Sequence, residues 1–540
     1  MTAQDLHICS FSDDPPWLVE PDQLVWRHDL DRVRAATRAQ VPELTRRRLL
    51  PPGGRVLVTG ARLGMALGGW YLRERRSGDP SVSRAGLSRR LRRAFERLGP
   101  TYIKLGQIIS SGEGIFPEEL VLEFRHLRDK VPPETFDTVR HTVEADLGAT
   151  IEELFTRFDR TPVAAASIAQ VHAATLRTGE EVVVKVQRPT VADSVRRDLA
   201  AMSWIAPALV GRIPVSALAN PPALVELFAE TIVEELDFRL EAENMLDVAK
   251  VLATTDQRMI VVPRPHPTLV TPRVLVMERL DGFSFDDVAG MHAAGIDTSA
   301  VVRAGMVGFL EGAILFGVFH GDLHGGNLFV RRDGRVALLD YGITGRLSEP
   351  RRLAFLRLLM SGTVNDPKGQ LAALRDLGAL PPDVDLEELI VELGIDQPVK
   401  DPTQMDPDEL LGEIREITKK LLGYGAKMPK ELMLFVKNML FLDGALATLA
   451  PDVDLFTEIT HVATYFAEQH GARIAAETGI DPRAERIDLD GLRASMGVTA
   501  DVETMTHRQL QERRELIRTR MEEHRRTRST TKRRRFRPGG

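Results

Sequence analysis

Phe319 to Gly342 reads FHGDLHGGNLFVRRDGRVALLDYG. Asp322 is followed five residues later by Asn327, and Asp340-Tyr341-Gly342 closes the segment. Between them, Asn327-Leu328-Phe329-Val330 and Arg335-Val336-Ala337-Leu338-Leu339 flank the turn Arg331-Arg332-Asp333-Gly334. An Asp-Gly pair between two short apolar runs signals a β-hairpin. The hairpin puts Asp322 and Asn327 on the loop before it and Asp340 just after it. Folding the strands together brings the three side chains back toward one point.

That constellation suits phosphoryl transfer. One carboxylate orients the attacking hydroxyl and accepts its proton, while an amide and a second carboxylate hold Mg²⁺ against nucleotide phosphates. The kinase pattern is H-R-D, four residues, Asn, and later D-F-G. Here His320-Gly321-Asp322 and Asn327 keep the spacing, and Tyr341 replaces the Phe. A lone D-x-x-x-x-N reads as a polar loop; the hairpin and the D-Y-G at the right distance turn the reading toward a kinase-type site.

Working outward, residues upstream supply the other parts in kinase order. Val163-Ala164-Ala165-Ala166-Ser167-Ile168-Ala169-Gln170-Val171 is a small-residue loop running into a strand, placed to cover phosphates. Alanine Cβ atoms restrict the close backbone approach that glycine permits. Val182-Val183-Val184-Lys185-Val186 is a β-branched strand with one lysine. A lysine inside a valine run needs an anion. A helix with Glu226, Glu230, Glu234, Glu235, Asp237, Glu241 and Glu243 follows, and Glu235 is the expected partner of Lys185. Val274 to Glu278 reads as the last small-lobe strand, so Met277 and Glu278 border the adenine pocket.

These residues resemble the UbiB (AarF/ADCK) family of atypical kinases. Lys104-Leu105-Gly106-Gln107 looks like its K-x-G-Q signature, and Ala164-Ala165-Ala166-Ser167 like its Ala-rich loop. Val184-Lys185-Val186-Gln187-Arg188-Pro189, Glu235-Leu236-Asp237, Glu241-Ala242 and Asn244 also fit, as does HGDLHGGN, where the family more often shows H-A-D-x-H-P-G-N. The likeness spans roughly Leu87 to Pro451. It implies Mg-ATP binding, with kinase or ATPase activity supporting isoprenoid quinone synthesis in membrane-associated action. Carried over, Asp322 is the proton acceptor, Asn327 and Asp340 bind Mg²⁺, and Lys185 pairs with Glu235. Lys104 and Gln107 would fill the pocket where a peptide substrate otherwise lies, held by Asp237 or Glu241. Three features depart from the family: Gly321, Leu323 and Gly325 in the catalytic loop, Gly112-Glu113-Gly114 after the K-x-G-Q helix, and the lack of hydrophobic terminal spans.

The expected fold is α+β: a bilobal protein-kinase-like fold with a helical N-terminal extension and a mostly helical large lobe. Residues 1–82 carry no assigned role, 83–160 form the extension, 161–282 the small lobe, 283–500 the large lobe and 501–540 a basic tail. The chain has 540 residues, 43% hydrophobic and 27% charged, with 71 basic and 77 acidic residues for a net charge of -6. Cys9 is the only cysteine, which fits a reducing compartment. The N-terminus lacks the basic start and apolar core of a secretory signal. The apolar stretches from Val56 and from Val302 are interrupted by Arg62 and by Arg303 and Glu311, and the second reads as a buried large-lobe helix. A cytoplasmic protein is expected, with a peripheral position at the inner face of a membrane left open. The helix bearing Leu87, Leu91, Phe95 and Leu98 has a basic opposite face, read as a solvated surface. Leu432, Phe435, Val436, Met439, Leu440 and Leu442 read as a buried stripe. Residues 508–540 hold 13 Lys or Arg and 4 Asp or Glu, a local net of +9. The run Lys532 to Arg537 suits either a solvated tail or anionic lipid headgroups, and no motif points to nucleic acid. Two rivals stay open: a small-molecule phosphotransferase of the aminoglycoside or choline kinase type, and a nucleotide-binding scaffold without turnover.

Overall fold

Alternating valines build the sheet on which the site hangs. Val182, Val184 and Val186 are at most 1% exposed, and they face a core with Val139, Val143, Val274 and Val276. Burying each such side chain contributes about 1.5–3 kcal/mol. The strand period of two then turns Lys185 to the opposite face. The computed structural model describes residues 24–516 and 519, except 47–49, 76–79, 111–115, 128–131, 210–220, 365, 395–415, 418, 419, 422, 427, 428, 485–487 and 496–501. Gly112-Glu113-Gly114 and Lys532 to Arg537 lie outside the described residues.

The chain divides into two compact units. The first comprises residues up to Ser284 together with His320–Arg331 and Arg335–Thr344. Its helices begin with α1 (Leu30–Leu44), α2 (Gly54–Arg73), α3 (Pro80–Leu98), α4 (Pro100–Ser110), α5 (Glu118–Phe124), α6 (Phe136–Leu147) and α7 (Ile151–Leu154). Strands β1 (Phe155–Phe158), β2 (Ala164–Ala165), β3 (Ala169–Leu176) and β4 (Glu181–Gln187) follow. Next come α8 (Val191–Leu209), α9 (Pro221–Glu234), α10 (Phe238–Thr254), β5 (Ile260–Val261), β6 (Pro265–Val270), β7 (Val274–Glu278) and β8 (Phe283–Ser284). The main sheet has the order β1-β3-β4-β7-β6, with β2 added on β3. Lys185 lies opposite Val171 on one side and Leu275 on the other. The turn between β3 and β4 uses Gly179 at φ 105°, a conformation that suits glycine.

β9 (Val318–His320) leads into the Asp322–Asn327 loop, followed by β10 (Leu328–Val330) and β11 (Val336–Leu338). β10 and β11 form the antiparallel hairpin read from the sequence, with Leu328 opposite Leu338 and Val330 opposite Val336. They join a second sheet of order β5-β11-β10-β8.

The acidic stretch expected as one helix is two. α9 ends at Glu234 and α10 starts at Phe238. Asp237 caps α10, its carboxylate accepting from the Arg239 amide at 3.1 Å and the Arg239 guanidinium at 2.6 Å. Gln187 of β4 donates to the Leu236 carbonyl at 2.9 Å, so the sheet holds the break in place.

The second unit is helical: α11 (Val288–Ala293), α12 (Thr298–Glu311) ending in a π-type turn, α13 (Glu349–Thr363), α14 (Pro367–Asp376), α15 (Leu386–Leu393), α16 (Lys430–Leu449), α17 (Leu455–Thr478) and α18 (Leu489–Ser495). Phe435 stacks on Phe309 and meets Phe355 edge-on. The stripe expected on α16 is only part core: Leu432, Phe435 and Leu442 are buried, whereas Val436 and Leu440 are 38% and 42% exposed. A 3.6-residue period places those two on the rim of the buried arc. Among the described residues, Thr298–Phe316 and Lys430–Leu449 are long and apolar enough to cross a membrane by length and composition. Most of the first is buried within the unit. Its charges are answered there: Arg303 pairs with Glu458 at 2.6 Å, and Glu311 accepts from Tyr465 and meets His470.

Candidate active site

Lys185 ends in a cage of carboxylates. Its Nζ donates to both oxygens of Glu241, at 2.7 and 2.9 Å, and to Asp340 Oδ1 at 3.1 Å. Lys104, on α4, forms an ion pair with Glu235 at 2.9 Å. This exchanges the partners expected from the sequence. Glu235 does not serve Lys185, and neither Asp237 nor Glu241 serves Lys104. The break between α9 and α10 is the reason. It takes Glu235 out of the helix, commits Asp237 to the cap, and puts Glu241 in the first turn of α10, under Lys185.

The charges support both pairs. Burial alone would lower the pKa of each lysine. For Lys104 the opposing carboxylates are Glu235, Asp322 and Asp340; for Lys185 they are Asp340 and Glu241, and both lysines end above their ordinary range. Burial raises Glu235 and Glu241, with the lysines opposing. Two-oxygen contact at hydrogen-bond distance favours the ionised Lys185–Glu241 pair. Asp340 is desolvated too, but Lys185 and Lys104 outweigh that and hold it well below the usual carboxylate range.

His320 ties the Asp322–Asn327 loop to the D-Y-G. The Asp322 amide donates to Nδ1 at 3.1 Å, so Nε2 carries the proton and meets the carbonyls of Leu339 and Asp340 at 3.1 and 3.0 Å. Burial lowers its pKa, in keeping with the neutral ring these bonds require. Asn327 Nδ2 donates to the Asp322 carbonyl at 3.0 Å. Asp340 sits at φ 55°, a left-handed conformation costly for a residue with a Cβ. Its Oδ1 takes the Gly342 amide at 3.2 Å as well as Lys185. Gly321 departs from the family's alanine for a steric reason. A Cβ there would meet Ile343 Cγ2 at 2.7 Å and the Ile343 carbonyl at 3.0 Å.

The Ala-rich loop is a tight turn closed by Ala166 N–H donating to the Ala169 carbonyl at 2.8 Å. Within the loop and its flanks, Val163 is 61% exposed, while Ser167, Ile168, Ala169 and Gln170 are buried. Gln170 is occupied by structure, accepting from the Glu134 amide and contacting His172, both at 2.8 Å. Arg188, for which the sequence reading had no role, fixes this loop. Its guanidinium donates to the carbonyls of Ala166 at 3.1 Å and Pro132 at 3.0 Å, and pairs with Glu134 at 2.8 Å. The signal was present in V-K-V-Q-R-P: Lys185 reaches Glu241, Gln187 holds Leu236, and Arg188 holds the loop. At the end of β7, an inner strand of the sheet, Met277 and Glu278 are buried, and Glu278 Oε2 accepts from the Arg264 amide at 3.3 Å.

Residues 126–373 match the family model described as "ABC1 atypical kinase-like domain". The chain is 38% identical over 387 residues to the uncharacterized protein Rv0647c of Mycobacterium tuberculosis, covering 70% of this chain and 77% of that one. It is 32% identical over 443 residues to the uncharacterized aarF domain-containing protein kinase At5g05200, chloroplastic, of Arabidopsis thaliana, covering 76% and 82%. The chain belongs to the UbiB (AarF/ADCK) family. A solved structure, the complex of Rv3197 with erythromycin from Mycobacterium tuberculosis, shares 22% identity at a TM-score of 0.41, covering 64% of this chain and 87% of that one.

Within this UbiB-family chain, the K-x-G-Q glycine has a packing explanation. A Cβ at Gly106 would collide with Leu127 and crowd Phe124 at 3.3 Å. Close packing of α4 on α5 carries Lys104 to Glu235, and Gln107 lies half-buried one turn further on. The aromatic of the D-Y-G is fully buried and edge-on to His320, with ring centroids 5.1 Å apart.

Proposed function

We propose that this chain binds Mg-ATP and acts on its terminal phosphoryl group as a phosphotransferase or ATPase. The observation that carries the reading is the single charged network joining Lys185, Glu241, Asp340 and the Asp322–Asn327 loop. Asp340 Oδ2 and Asn327 Oδ1 have no hydrogen-bond partner among the described residues, and hard oxygen ligands of this kind suit Mg²⁺. When bound, the ion neutralises phosphate charge. Lys185, steadied by Glu241, grips the phosphates, and the Ala-rich loop with Arg188 behind it covers them. Met277 and Glu278 border the base. Asp322 accepts the proton of the attacking hydroxyl or water.

The position of Lys104 favours turnover of ATP with water or a small lipid-like acceptor over phosphorylation of proteins in trans. Its α4 occupies a position against Glu235, and its charge is felt at Asp322. Support for isoprenoid quinone or related lipid metabolism follows from the family. Association with an anionic membrane gains support from α2, which has no acidic residue and exposes Leu57, Met65 and Leu72 at 72%, 58% and 79%. The test is ATP turnover with and without anionic liposomes and quinone precursors, in the wild type and Asp322→Asn. The variant is expected to lose turnover by on the order of 10²–10⁴ while still binding Mg-ATP. Unchanged turnover would remove Asp322 from its role.

A further inference from the structure

The N-terminal region, to which the sequence assigned no chemistry, touches the active site at one remove. Arg27 donates through Nε and Nη2 to both oxygens of Glu243, each at 3.0 Å. Arg34 Nη2 reaches Asn244 Oδ1 at 3.4 Å, and Arg38 Nε pairs with Glu234 at 2.9 Å. Arg34 and Arg38 are one turn apart on α1, and Arg27 ends a separate short 3-10 turn, Val25–Arg27, ahead of that helix; their contacts converge on the same stretch, Glu234 to Asn244. The segment is itself anchored. Leu24, Trp26 and Leu30 are at most 5% exposed, and Trp26 Nε1 donates to the His266 carbonyl at 3.2 Å.

The targets bracket the α9–α10 break. Glu234 precedes Glu235, the partner of Lys104. Glu243 and Asn244 follow Glu241, the partner of Lys185. Asn244 Nδ2 also donates to the Tyr341 carbonyl of the D-Y-G at 2.9 Å. A chain break between two helices has no helical hydrogen bonds of its own to fix its angle. Bidentate Arg–carboxylate contacts fix position as well as charge.

We infer that Arg27, Arg34 and Arg38 form a positioning brace that sets the α9–α10 break, and through Glu235, Glu241 and Asn244 sets both lysine pairs and the D-Y-G. The brace rests on the nucleotide-binding reading of the site. It acts through other residues and touches no reacting group.

The test combines Arg27→Ala/Arg34→Ala/Arg38→Ala with the charge swap Arg27→Glu/Glu243→Arg in the full chain. Each is measured by Mg-ATP calorimetry and by amide hydrogen exchange without nucleotide. The triple variant should bind Mg-ATP about tenfold more weakly, the order expected for losing partly buried pairs. Its amides over Phe238–Asp247 and Asp340–Gly342 should exchange faster while those of β3 and β4 keep their protection. The swap should restore both readings relative to Arg27→Glu alone. Unchanged exchange at those two segments, or a swap no better than the single change, overturns the brace. If the triple variant does not fold, Arg34→Ala alone decides by exchange at Asp340–Gly342, faster for the brace and unchanged against it. A wild type that binds no Mg-ATP would sink the functional reading, while the exchange measurement would still judge the brace.

Discussion

Tyr341 shows how far one atom can matter. Its ring is fully buried against His320, yet its hydroxyl has no hydrogen-bond partner among the described residues. A buried hydroxyl without a partner costs about 1–3 kcal/mol. The phenylalanine of the kinase D-F-G would fill the same space without that cost. Tyr341→Phe should therefore stabilise the protein by about 1 kcal/mol, raising the thermal midpoint of its unit by about 1–2 °C. Calorimetric melting checks this, and a lowered midpoint would mean that the hydroxyl has found a partner, such as an ordered water. Gly321 teaches the converse. The family's alanine fails here because Ile343 already fills the space its Cβ would need.

At the scale of elements, the break between α9 and α10 decides which glutamate does what. If Glu241 steadies Lys185, Glu241→Gln should weaken Mg-ATP binding by about tenfold or more, because the lysine loses its two-oxygen partner. Glu235→Gln should instead leave Mg-ATP affinity within about threefold and lower stability, since Lys104 would be left buried without its nearest carboxylate. Titrations of the two variants side by side separate the assignments, and the reverse order would restore the pairing first read from the sequence. That reading found the hairpin, the Asp322–Asn327 loop before it, the lysine strand and the K-x-G-Q helix because each is local and carries its own periodic or turn signal. It missed the pairing because seven acidic residues in a row of helical spacing do not announce a break. The cap at Asp237 and the grip of Gln187 on Leu236 are tertiary facts. It missed Arg27, Arg34 and Arg38 for the same reason: their partners lie 196 to 216 residues away.

At the scale of the whole molecule, three histidines of the first unit make stability depend on pH. Burial lowers His172 and His320, and lowers His266 to about 4 from 6.5. His266 Nδ1 accepts from the amides of Thr268 and Leu269, both at 3.1 Å, which a protonated ring cannot do. Between the folded and unfolded values the unfolded chain binds more protons, so this stability is full above about pH 6.5 and is lost as pH falls toward 4. Each histidine can contribute up to about 1.4 kcal/mol per pH unit in that window. Thermal midpoints from pH 8 to 5 should fall less steeply for His266→Asn than for the wild type, and equal slopes would count against the buried neutral ring. The larger claim is that one charged network, closed by Lys185, Glu241 and Asp340, exists to hold Mg-ATP. Calorimetric titration of Mg-ATP into the wild type and Asp340→Asn tests it most directly. The wild type should bind with measurable heat, and Asp340→Asn should lose at least about tenfold in affinity, because the carboxylate acts on the phosphates through the ion. Equal affinity in the two proteins, or no binding by the wild type, would contradict it.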